Sequence, residues 1–94
     1  MSFTIRYVSL IDTKALAKIS RKDLLSIKNK IDQKLSTHPD LFGKPLRRSL
    51  RGYWSLRVDD YRVIYRIHNK DVLIFIIEHR SIVYEVARKL LEKK

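Results

Sequence analysis

Residues Phe3 to Val8 alternate apolar and polar side chains, the period of two that a half-buried strand requires. The period then lengthens: Leu24, Ile27, Ile31 and Leu35 recur at helical spacing, and Lys28, Lys30, Asp32 and Lys34 fall off that stripe. Ser20, with Asp23 three residues on, reads as the cap of this helix, and Asp12 or Thr13 as the cap of a shorter one over Lys14 to Ile19. His38 precedes Pro39, whose ring pushes it out of the helical region, so the helix is expected to end there. Two consecutive helices with a tight break predict a helical hairpin. The period returns to two at Tyr53. Trp54, Leu56 and Val58 share one face of a strand, and Tyr53, Ser55 and Arg57 share the other. Asp59-Asp60 reads as a turn. The strand after it puts Tyr61, Val63, Tyr65 and Ile67 on one face and Arg62, Ile64 and Arg66 on the other. After a second turn, His68 to Asp71, the run Val72 to Ile77 is apolar throughout, as in a strand covered on both faces. Ser81 reads as the cap of a last helix, with Glu85 in its first turn and Val83, Val86, Ala87 and Leu90 as its stripe.

The predicted order is β-α-α-β-β-β-α, an α+β fold. It implies a four-stranded, mostly antiparallel sheet with the helical hairpin on one face and a C-terminal helix. Trp54 and Val63 belong under the helices. The face carrying Arg57, Arg62 and Arg66 is expected to stay open as a concave basic surface. The chain has 94 residues and is 45% apolar, enough for one core, so residues 1–94 read as a single domain.

Charge changes the picture more than composition does. Formal net charge is +11, which favours a polyanion or an acidic protein as partner. With no cysteine there is no disulfide framework and no cysteine-ligated zinc, which fits a reducing cytoplasm. Three histidines show no metal-ligand spacing, and there is neither a glycine-rich phosphate loop nor an inferable Ser-His-Asp arrangement, so neither metal nor cofactor is expected. No apolar stretch follows a basic N-terminus, so no signal peptide is expected. The apolar run at 72–77 is far short of the ~20 residues of a membrane span.

The basic charge is concentrated. Between Lys44 and Arg66 stand seven basic side chains against two acidic ones, with Tyr53, Trp54, Tyr61 and Tyr65 threaded among them. Six of the seven are arginine, whose planar fork grips phosphate and stacks on bases. Arginine with interleaved aromatics points to RNA; a solvated basic hairpin is the plainer alternative. Lys44, Arg47, Arg48, Arg51 and Tyr53 are the candidate RNA contacts, the arginines mainly for affinity and salt sensitivity.

Two stretches carry a wider resemblance: L-R-G-Y-W-S-L-R-V-D-D-Y-R-V-I-Y-R-I, and then V-L-I-F-I-I-E-H-R-S-I-V-Y-E. Together with the helical hairpin, the length and the charge, they resemble the RelE/ParE superfamily of bacterial toxins over nearly the whole chain. The resemblance implies a RelE-like fold. It implies an endoribonuclease that cuts mRNA on the translating ribosome, in the cytoplasm, and that is silenced by a cognate acidic antitoxin. The ParE branch implies instead a non-enzymatic inhibitor of DNA gyrase, and a third alternative is a degenerate homologue that only binds RNA. By resemblance Arg57, Arg62, Arg80 and Tyr84 hold the scissile phosphate or stack on the bases around it. Tyr53 and Ser55 stand where the best-known members carry lysines, one of them thought to act as base.

Cleavage by internal attack needs a proton taken from the 2′-hydroxyl, stabilisation of the pentavalent phosphate, and a proton given to the 5′-oxygen. Arginine suits the second task and cannot serve as base, since it stays protonated. Tyr84, His79, Tyr53 and Lys44 are the candidates for proton transfer. Arg62 and Arg80 are expected to flank one phosphate.

Overall fold

The computed structural model describes residues 2–8 and 13–92. Strand β1 (Thr4–Tyr7) leads to helix α1 (Thr13–Ala17) and helix α2 (Arg21–Lys30). The proposed cap Asp12 lies outside the described residues, and α1 ends two residues before the expected Ile19. Ser20 caps α2 as its sequence promises, its hydroxyl accepting the Asp23 N–H at 3.1 Å. The helix does not stop at Lys30 but widens into a π-helical turn, Ile31–Leu35. Ile27, Ile31 and Leu35 are all buried, so the stripe survives the change of pitch.

His38 leaves the helical region, as a residue before proline must, and Pro39 opens a one-turn helix α3 (Pro39–Phe42). Nothing in the sequence periodicity announces this element. The same holds for the two-residue strand β2 (Lys44–Pro45), which makes the sheet five-stranded rather than four-stranded. A 3₁₀ turn (Arg48–Leu50) precedes β3 (Trp54–Val58), β4 (Tyr61–His68) and β5 (Asp71–His79), and the final helix α4 is Val83–Leu91.

The spatial order is β1-β5-β4-β3-β2, with β1 parallel to β5 and the other pairs antiparallel. The two hairpin turns place Asp59 and Asn69 at φ 53° and 56°, a region those side chains tolerate. Between Ile64 and Tyr65 the β4–β5 pairing slips by one residue, so that Phe75 is extra in β5. Ile74 and Ile77 therefore reach the same face although three residues apart.

That face is the main core. Trp54, Leu56, Val58, Val63, Tyr65, Val72, Ile74 and Ile77 pack under Ile27, Ile31 and Leu35 of the helical hairpin. Tyr65 is fully buried and its hydroxyl donates to the Pro39 carbonyl at 2.5 Å, tying β4 to α3. Burial, and then the carboxylate of Asp40, raise this phenol above its ordinary value of 10.0.

The second face is not the open basic surface that the alternation implied. Helix α4 lies across part of it, packing Val83, Ala87 and Leu91 on Leu50, Ile64 and Ile76. The buried stripe runs Val83-Ala87-Leu91, and Leu90 is on the exposed side. Ser81 does not cap this helix: the cap position is Ile82, and no side chain bonds there. The Ser81 N–H donates instead to His79 Nδ1 at 3.2 Å, with the Ser81 hydroxyl 2.8 Å from the same nitrogen.

Candidate functional site

What α4 leaves uncovered on the second face is a cleft of about 380 Å³ lined by Phe42, Lys44, Ser55, Arg57, Arg62 and Tyr84. Sheet register explains why these side chains meet. Lys44 on β2 is the cross-strand partner of Ser55 on β3, and Arg57 on β3 is the partner of Arg62 on β4. Partners across a ladder point to the same side, so two adjacent rows of the sheet face the cleft. Helix α4 closes it from above through Tyr84, whose hydroxyl is 3.2 Å from Ser55 Oγ. Ser55 is the one buried polar side chain among the described residues, and this bond satisfies it.

Arg57 and Arg62 stand directly opposite one another. Like charges in that relation oppose folding, and on the other side the ladder sets Glu78 of β5 opposite Arg62. Arg62 is braced: its Nη1 donates to the carbonyls of Asp59 and Tyr61 at 3.1 and 3.0 Å. Arg57 is exposed, and among the described residues no carboxylate lies within ion-pair distance of it, so pairing with Asp59 or Asp60 does not occur. The cleft thus carries three cationic side chains and no acidic one.

The other candidates lie elsewhere. The Arg80 guanidinium is 3.7 Å from Asp60 in an exposed ion pair, and its backbone N–H donates to the Asp60 carbonyl, so it does not flank Arg62. His79 pairs with Tyr61 across the ladder, ring against ring at 5.7 Å, and Tyr61 packs on the helical-hairpin side of the sheet. Tyr53 lies under Arg66, 5.3 Å from guanidinium carbon to ring centre, with its edge against Phe75. Arg47, Arg48 and Arg51 are exposed around the 3₁₀ turn, which Ser49 ties to Glu92 just beyond α4. The cleft adds two residues that the sequence did not single out as contacts, Phe42 and Ser55. Ser55 is marked by the family pattern as a position where the best-known members carry lysine, and it sits beside Arg57 on the polar face of β3; Phe42 gives no such signal.

The model of the ParE toxin of the type II toxin–antitoxin system parDE matches residues 11–84. The chain belongs to the RelE/ParE superfamily of toxins of type II toxin–antitoxin systems. Toxin RelG of Mycobacterium tuberculosis is 34% identical over 86 residues, covering 89% of this chain and 98% of its own length. The toxin–antitoxin complex RelBE2 of the same organism contains a chain similar at TM-score 0.77 and 33% identity, over 85% of this chain and 93% of that one. A chain of the RelB–RelE antitoxin–toxin complex of Methanococcus jannaschii has the same fold at TM-score 0.64 and 16% identity, over 86% of this chain and 96% of that one. In this member of the superfamily it is the second sheet face that carries the cleft. No helix among the described residues is long and apolar enough to cross a membrane.

Proposed function

We propose that this toxin is an endoribonuclease that cuts mRNA on the translating ribosome and so arrests translation. The observation that carries the reading is the convergence of Arg57, Arg62, Tyr84, Lys44 and Ser55 on one cleft. Arg57 and Arg62 would hold the non-bridging oxygens of the scissile phosphate, where negative charge grows as the 2′-oxygen attacks and the bond to the 5′-oxygen breaks. Both guanidinium groups keep their charge throughout, so they stabilise the pentavalent state and leave proton movement to other groups. Tyr84 and Lys44 are the cleft residues able to move a proton, and the Ser55 bond fixes where the Tyr84 hydroxyl points. Arg80, held by Asp60 outside the cleft lining, has no assigned part in this reading.

The partner proposed for the +11 chain is a cognate acidic antitoxin, in keeping with the antitoxin complexes of the RelE relatives, and the setting is the cytoplasm. The test is purified toxin added to ribosomes stalled on a defined message, with RNA ends mapped by primer extension. New ends at fixed positions within the A-site codon are expected. A second reading is favoured by the family model itself, which is that of ParE toxins: a non-enzymatic inhibitor of DNA gyrase. Intact message together with blocked gyrase supercoiling would select it.

A further inference from the structure

Phe42 is the one cleft residue with neither charge nor a hydrogen-bonding group on its side chain, and it is 45% exposed. We propose that its ring is the platform on which a nucleobase next to the scissile phosphate stacks. The inference rests on the endoribonuclease reading of the same cleft and adds to it the group that receives a base.

Three observations carry it. The ring lines the cleft together with Lys44, Arg57 and Arg62, so a phosphate held by the arginines brings its own base within reach of an aromatic face. The ring is also held in place from below. Its residue closes α3, whose Pro39 carbonyl is bonded by the buried Tyr65 hydroxyl. The following residue, Gly43, is seated so tightly that a β-carbon there would lie 1.9 Å from that hydroxyl. A four-residue helix pinned at both ends presents a fixed surface rather than a mobile one. Finally, the ring already attracts a flat or cationic neighbour: the Lys34 ammonium sits 5.4 Å from its centre and His38 meets it edge-on at 6.3 Å. Tyr84 supplies a second aromatic group to the same space. A base received there must be unstacked from its neighbours, which makes the cleft selective for single-stranded RNA.

The experiment compares wild type, Phe42→Ala and Phe42→Tyr on the same programmed ribosomes, with codons carrying a purine or a pyrimidine at the cleavage site. Loss of a stacked base by alanine substitution is expected to lower kcat/KM about ten- to a hundred-fold, more for purines, with Phe42→Tyr close to wild type. Unfolding midpoints of the three proteins are expected to agree, since the ring is at the surface. Equal cleavage by wild type and Phe42→Ala overturns the platform and leaves the endoribonuclease reading intact. So does an equal loss in Phe42→Ala and Phe42→Tyr. Failure of wild type itself to cleave overturns that reading, and the platform with it.

Discussion

At the scale of single residues, two arginines facing each other across a ladder are the most telling feature of the molecule. Arg57→Ala or Arg62→Ala is expected to lower the rate of message cleavage about 10²–10³-fold. Arg57→Ala should leave thermal stability unchanged or slightly improved, because it removes a like-charge pair, whereas Arg62→Ala also loses two bonds to the Asp59 and Tyr61 carbonyls and should be slightly less stable. Single-turnover cleavage and calorimetry on the same preparations check both halves. Tyr65 makes the opposite kind of prediction. Its phenol is raised above the ordinary 10.0 by burial first and by Asp40 second. Below that value folded and unfolded chains both hold the proton, and stability does not depend on this group. Above it the unfolded chain releases the proton and the folded chain keeps it, so stability falls as pH rises. Tyr65→Phe should lose about 1–3 kcal/mol near neutrality, since the buried Pro39 carbonyl loses its donor. It should also flatten the alkaline decline. Unfolding midpoints measured over the range from about pH 8 to 11, which brackets the ordinary phenol, distinguish the two effects.

At the scale of elements, α3 is the piece whose position depends most on a single packing contact. Gly43→Ala drives a β-carbon into the Tyr65 ring and should cost about 1–3 kcal/mol, measured by urea unfolding. Adding Tyr65→Phe should return part of that loss, because the nearest clashing atom is the hydroxyl. Elements also show how far the sequence could be read. The strands β3, β4 and β5 declare themselves by alternation and β-branched runs, and the face of each residue in β3 and β4 follows from that period. The Ser20 cap is equally local. Pieces such as α3 and β2 are not legible, because four and two residues carry no period, and a distant tyrosine or a partner strand holds each in place. The position of α4 is not legible either: its stripe announces that it packs, but not which face of the sheet it covers. The same limit applies to the site. Arg57, Arg62 and Tyr84 can be named from their residue types and the family pattern, but their meeting depends on register between three elements. Arg80 is of the same residue type, yet it lies just past the end of β5, where the turn at Asp60 takes both its backbone N–H and its guanidinium.

Across the whole molecule, six of the 21 basic side chains gather in two separate zones. One is the cleft. The other is the 3₁₀ turn with Arg47, Arg48 and Arg51, tied to the C-terminal end of α4, where Arg48 sits at φ 59° in a region that costs a non-glycine residue about 1 kcal/mol. Separation of the zones predicts separate effects. Replacing Arg47, Arg48 and Arg51 together by alanine should weaken binding to ribosomes and make it less sensitive to salt, by about 0.7 in logarithmic slope for each phosphate no longer neutralised. The rate at saturating ribosome should be unchanged. Binding titrations at several salt concentrations, with single-turnover rates alongside, measure both.

The extra residue in β5 has a consequence for how this gene can change. Ile74 and Ile77 face the main core only because Phe75 interrupts the alternation between them. Removing one residue from an ordinary strand turns everything beyond it inside out. Removing Phe75 would do the reverse: Ile74, Ile76, Ile77, Glu78 and His79 would keep their present faces in a regular strand. The middle of β5 is therefore a place where the chain can shorten by a codon without exchanging its inside for its outside, with the loss of only the Phe75 ring and its edge-on contact with Tyr53.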